Sequence, residues 1–304
     1  MMNVDTILRP RALFGATLLA GLLVLAGCDS QDLGDANPQT PTVAEIATEV
    51  QALNTFGQAL QRVGPANVLT GSGPYTVFAP LNSAFEPGIS VEANPGVLRK
   101  VLQHHVVDGD SLLASDLSDG ATVLPLAGDT LRIGVGDNIT VNRATVTNPD
   151  VSAQEGIVHV VDGLLADAVD RSTLTPQFTV FARLVKEAGL APVLRGPGAN
   201  DGRTIFAPTN EALLAALDGD DSGEIEADEI PANADEILQY HVLDSVFLAA
   251  DVPTSATDVE TLEGSTVTVQ RSGETVTVNE GEVVTPNVEV DNGVIHGIDT
   301  VLMP

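Results

Sequence analysis

Apolar residues recur along this chain with several different spacings, and each spacing predicts a different kind of segment. Residues 12–26 are fifteen mostly apolar residues behind Arg9 and Arg11. That run is shorter than the roughly 20 residues that span a bilayer, and it suits the core of a signal peptide. Residues 29–42 turn polar and include two prolines, the composition of a tether. Apolar side chains then return at helical spacing, at Leu53, Phe56, Leu60 and Val63 and again at Phe178, Phe181, Leu184 and Val185. Short apolar runs at 76–78 and 204–206, each stopped by Ala-Pro, predict buried strands. Asn82 and Asn210, or Thr209, follow as caps of a predicted helix. Later, residues 266–270 and 275–278 alternate with period two around Arg271-Ser-Gly-Glu274, which predicts a hairpin.

The pattern is written twice. Tyr75-Thr-Val-Phe-Ala-Pro-Leu-Asn-Ser-Ala-Phe85 returns as Arg203-Thr-Ile-Phe-Ala-Pro-Thr-Asn-Glu-Ala-Leu213. Val101-Leu-Gln-His-His-Val-Val107 returns as Ile237-Leu-Gln-Tyr-His-Val-Leu243, and Glu155-Gly-Ile-Val-His-Val-Val-Asp162 returns as Asn292-Gly-Val-Ile-His-Gly-Ile-Asp299. Three matches in one order predict two homologous domains, at 43–167 and 172–304, each of a size that holds its own core. Helices precede alternating strands in each copy, so the expected class is α+β.

Together the three blocks resemble the fasciclin domain family over nearly all of the chain after residue 42. The resemblance implies helices packed on a β-sandwich-like core, a function in cell adhesion and matrix contact, and no catalytic centre common to the family. It also implies a partner contact at the Tyr-His segment, here Tyr240-His241 and His104-His105; the first copy carries His where the family has Tyr.

Composition adds a compartment and excludes a class of partner. The only cysteine, Cys28, directly follows Leu25-Ala26-Gly27. That looks like a bacterial lipobox, so residues 1–27 are expected to be removed and 28–42 to become an acylated tether at a membrane of the cell envelope. A formal net charge of −29 repels phosphate backbones and argues against nucleic-acid partners. Such an acidic surface, with Lys100 and Lys186 the only lysines, also suits high salt, where screening removes self-repulsion.

Candidate chemistry is narrow. No Gly-x-Ser-x-Gly, His-Glu-x-x-His or Ser-x-x-Lys is present, and the chain is expected to be non-catalytic. Four of the five histidines, His105, His159, His241 and His296, recur in both copies between aliphatic neighbours and read as half-buried imidazoles bonding backbone. Residues 218–229 (DGDDSGEIEADE) fit a twelve-residue EF-hand loop. Asp218, Asp220 and Ser222 stand at positions 1, 3 and 5, with Gly223 at the turn. Glu224 offers its carbonyl, Glu226 a carboxylate and Glu229 the bidentate closure. Hard oxygen donors in this array suit one Ca²⁺. Spacing between matched residues grows from 128 at Phe78 and Phe206 to 136 at His105 and His241, so the second copy gains eight residues in the interval that holds the loop. The expected function is a lipid-anchored protein touching a surface protein or polysaccharide. The alternative is an envelope small-ligand-binding protein or enzyme accessory with a cleft between the domains.

Overall fold

The Ala-Pro strand of each copy ends up inside its sheet because a parallel neighbour arrives from the end of the same copy. The computed structural model describes residues 40–70, 73–196 and 202–304. Cys28, the apolar run before it and the tether up to residue 39 lie outside the described residues. The first copy runs α1 (Val43–Glu49), α2 (Asn54–Val63), β1 (Tyr75–Pro80), α3 (Pro95–His104), β2 (Val106–Asp108), β3 (Thr122–Val123), β4 (Leu131–Val135), β5 (Ile139–Val141), β6 (Ala144–Ala153) and β7 (Gly156–Val161). The second runs α4 (Ala168–Leu174), α5 (Thr179–Glu187), α6 (Ala191–Arg195), β8 (Arg203–Pro208), α7 (Asn210–Leu217), α8 (Ala234–Tyr240), β9 (Val242–Leu243), β10 (Thr257–Glu260), β11 (Thr266–Ser272), β12 (Thr275–Val278), β13 (Gly281–Val290) and β14 (Gly293–Ile298).

Each copy has one seven-stranded sheet, in the orders β2-β1-β7-β6-β5-β4-β3 and β10-β11-β12-β13-β14-β8-β9. β1 pairs parallel with β7, and β8 with β14. The repeated Gly that opens each closing strand permits that pairing: a Cβ on Gly156 would stand 1.9 Å from the Tyr75 carbonyl oxygen, and one on Gly293 2.0 Å from that of Arg203. The sheet then rolls until its ends meet. A bridge between Val107 and Pro125, with Leu126 N–H donating to Val106 O, joins β2 to the segment after β3. Leu262 N–H donating to Val242 O does the same in the second copy. The β core is therefore barrel-like, with one hydrophobic cluster inside the roll (Phe78, Leu131, Ile133, Val141) and another between the sheet and the helices (Phe56, Leu60, Val77, Leu102).

Two local expectations change. Asn82 and Asn210 do not cap the helix that follows them; each serves the first turn of the preceding helix and fastens it to the strand end. Asn82 accepts from Thr55 N–H and donates to Gln51 O, while Asn210 accepts from Val180 N–H and donates to Pro176 O. Thr209 caps α7. In the first copy the corresponding helix is only a 3-10 turn, Asn82–Phe85, with Pro87 close behind. The predicted hairpin is present, with its second strand starting at Thr275 as expected, but its first strand runs on to Ser272, leaving Gly273-Glu274 as the turn.

The expected second-domain start at 172 falls inside α4, which is the counterpart of α1. Val43 N–H donates to Glu155 Oε2, and Ala168 N–H donates to Asn292 Oδ1 from the matching position. α4 also faces the first copy. Leu174 joins the first copy's core, Ala168 and Val169 the second's. The buried Arg171 guanidinium donates to the carbonyls of Ala84 (2.9 Å) and Glu86. Residues 39–304 form one unit.

Candidate functional site

α7 leads directly into the acidic loop. Asp218 closes that helix, and its carboxylate oxygens accept from Ser222 N–H at 3.0 Å and Gly223 N–H at 2.8 Å. The turn needs left-handed backbone at Asp221 (φ 58°) and Gly223 (φ 84°). Glu229 reaches back across the loop, accepting from Gly219 N–H at 2.6 Å and Glu226 N–H at 3.0 Å. These bonds bring oxygens of Asp218, Asp220 and Glu229 within 4.8 Å of one another. Ser222 Oγ lies 3.0 Å from both Glu224 O and Glu226 Oε1. The six candidate ligands thus share one short loop. Its charges are crowded: a hydrogen bond shared with Glu229 raises the Glu226 carboxyl above its ordinary range, while the Glu226 N–H holds Glu229 below it.

The loop is tied down from beneath. Ile225 is 2% exposed and packs in the second domain's helix-side core. Its carbonyl accepts from Arg183 Nη2 of α5 at 2.9 Å. In paired EF-hands that backbone position meets a second loop; here an arginine of the host domain meets it.

The repeated histidines are buried and bonded at both ring nitrogens. Leu165 N–H can only donate, so His105 Nε2 accepts (3.0 Å) and Nδ1–H donates to Val101 O (2.8 Å). His241 repeats this with Leu302 N–H and Ile237 O. Burial holds His105 down to about 3 and His241 to about 4. His159 and His296 take the opposite tautomer. Each Nδ1 accepts from a left-handed bulge residue, Asp150 or Asn287, and each Nε2 donates to Leu112 O or Phe247 O. Phe78 and Phe206 stack on these rings with centroids 5.6 and 5.9 Å apart.

Tyr240, His241, His104 and His105, expected to meet a partner, are all buried. The cause is their place at the end of α3 and α8, where the chain turns into β2 and β9 beneath the rolled sheet. In this structure they offer a partner almost no surface.

A cleft of about 540 Å³ lies between the copies, lined by Lys100, His104, Arg132, Arg195 and Asp291 among others. Its charges largely answer one another. Lys100 Nζ stands 2.7 Å from Asp170 and 3.4 Å from Asp167, and Arg195 pairs with the same two carboxylates at 3.1 and 3.0 Å. Burial pushes Asp167 up, but the Asp170 N–H, Arg195 and Lys100 outweigh it and hold the carboxyl below its ordinary range. Val101, Leu165 and Ala166 line the cleft beside these paired charges.

Both copies also find relatives. The Fasciclin domain family matches residues 51–167 and 176–304. Stabilin-2 of Rattus norvegicus is 32% identical over 263 residues, 77% of this chain and 18% of its own length. Transforming growth factor-beta-induced protein ig-h3 of Sus scrofa is 28% identical over 272 residues, 86% of this chain and 38% of its own. Protein sll1483 of Synechocystis sp. is 36% identical over 138 residues, 43% of this chain and 76% of its own. Among solved structures, a FAS1 domain pair from the insect cell adhesion molecule fasciclin I overlaps 84% of this chain and 98% of its own, at 20% identity and a TM-score of 0.40. The chain therefore spans well under half of the animal relatives' length, 18% and 38% for these two. Among the described residues, no helix is long and apolar enough to cross a membrane.

Proposed function

Since the chain belongs to the fasciclin domain family in both of its copies, we propose that it is a non-catalytic adhesion protein of the cell envelope, contacting a surface protein or polysaccharide. The observation that carries this reading is the family match in tandem over most of the chain. Histidine chemistry supports it: the four repeated imidazoles are spent on hydrogen bonds to backbone at both ring nitrogens, which leaves no free base among them. The anchor is a lipid on Cys28, inferred from the residues before it, and 29–42 hold the pair off the membrane. The loop at 218–229 takes one Ca²⁺, bound by Asp218, Asp220, Ser222, Glu224, Glu226 and Glu229. Three converging carboxylates and a Glu226–Glu229 pair that already shares a hydrogen bond supply hard oxygens and an excess of negative charge.

Adhesion of cells with and without the intact gene to protein-coated and polysaccharide-coated surfaces tests the function. Loss of attachment to one coating on deletion, restored by the gene, is the expected result. Equal attachment on every coating would sink the adhesion reading.

A further inference from the structure

His104 holds the position that Tyr240 holds in the second copy, yet the two side chains reach towards different domains. The Tyr240 hydroxyl donates to Thr266 O at 2.8 Å and accepts from Asn279 Nδ2 at 3.1 Å, all within its own barrel. The imidazole is shorter. In the first copy the matching residues, Thr130 and Asn142, line the cleft. His104 instead directs Nε2 to Asp291 Oδ2 of the second domain, 3.1 Å away, with the two side chains only 10% and 12% exposed. Asp291 sits between β13 and β14, and its Oδ2 has no well-angled hydrogen-bond partner among the described residues.

The surroundings single this pair out. On the first domain's side stand Lys100 and the buried His105 with α3, Asp129 and Arg132 around the start of β4, and Arg143 between β5 and β6. The second domain brings Asp167 and Asp170 at α4, Arg195 at α6 and Glu289 in β13. Lys100 and Arg195 are taken by Asp167 and Asp170, Asp129 lies 3.9 Å from Lys100, and Arg143 lies 3.9 Å from Glu289. Against Asp291, within ion-pair distance, stands His104.

We propose that His104 and Asp291 form a proton-operated latch between the two domains. A charged imidazole draws the β13–β14 turn onto the end of α3, and loss of the proton weakens that grip. The reason is electrostatic: a carboxylate held away from water without a cation is unfavourable, and protonating its neighbour turns that contact into an ion pair. Parting the domains separates that ion pair, so a proton on the imidazole and docking of the β13–β14 turn favour each other.

The test compares the full chain with His104→Tyr, which restores the second copy's residue, and with Asp291→Asn. Thermal midpoints and amide exchange at α3 and the β13–β14 turn, corrected for intrinsic rates, are read at pH 8 and pH 6. On acidification the wild type should gain about 2–4 °C relative to both variants. Its exchange at those two segments should slow several-fold, while the variants change little. The buried histidines titrate alike in all three chains and cancel. Should Asp291→Asn fail to fold, His104→Gln against wild type gives the same comparison. An identical pH response in wild type and a folded variant, or interface exchange that ignores pH, would overturn the latch.

Discussion

Protonating His105 or His241 removes the acceptor that Leu165 or Leu302 N–H requires, so the charged ring has no place in either barrel. Their folded values of about 3 and about 4 lie below the roughly 6.5 of an exposed imidazole. The unfolded chain therefore takes up protons first. Stability from these two residues is complete above about pH 6.5 and falls as pH drops towards 4, by up to about 1.4 kcal/mol per pH unit for each group. Urea unfolding between pH 7 and 4 checks this, and His241→Gln should flatten the slope while lowering stability at pH 7 by about 1–3 kcal/mol. A pH-independent midpoint would contradict it. Sequence context already marked these histidines as structural and bonded to backbone, though only half-buried, whereas both rings are fully buried. It could not reveal which ring nitrogen carries the proton, because that depends on backbone groups some 60 residues away in the chain. At Cys28 the prediction is covalent: Cys28→Ser should leave the protein unacylated and in the soluble fraction, and a mutant that still sediments with membranes would place the anchor elsewhere.

At the scale of elements, helices and strands with a clear period were legible and their partners were not. The helical faces at Phe56 and Phe181 and the hairpin after Thr266 follow from local spacing. The parallel pairing of β1 with β7 spans the whole copy, and no local pattern encodes it. The acidic loop shows both sides: its EF-hand-like sequence spacing was readable, whereas its attachment through Ile225 and Arg183 was not. Calcium should raise the melting temperature of the chain relative to chelator, and an unpaired loop should bind weakly, with a Kd of about 10⁻⁴–10⁻³ M. Glu229→Gln should abolish most of the rise. Asp221→Asn, at a non-ligand position, should leave it nearly intact, since Asn also tolerates the left-handed backbone there. Equal midpoints with calcium and chelator, and no heat on titration, would reduce the loop to surface charge. Ile225→Ala should cost about 2–5 kcal/mol even in chelator, because it empties a place in the core. A loss confined to calcium-loaded protein would mean that Ile225 serves only the ion.

For the whole molecule, α4 is where two domains become one body. Repeats in the sequence showed that there are two copies, but the linker between them has no repeat motif, so its second face went unseen. Arg171 is the clearest instance. Burial lowers its guanidinium only to about 10, so it stays charged at neutral pH and holds the carbonyls of Ala84 and Glu86 from across the boundary. Arg171→Ala orphans those carbonyls and should cost at least about 1–3 kcal/mol. Calorimetry should then show one wild-type transition broadening or dividing into two, as each barrel melts on its own core. A mutant that still melts in a single sharp step would mean that α4 packing alone couples the copies.

Ile225 makes the loop hard to remove. The second copy carries eight residues that the first lacks, in the interval that holds the acidic loop. Because one side chain of that loop occupies the helix-side core of the host domain, excision would not turn the second copy into the likeness of the first; it would leave a hole. A variant stripped of every acidic side chain in the loop should therefore still need its isoleucine. The fold has closed over the segment, whether or not an ion is ever bound.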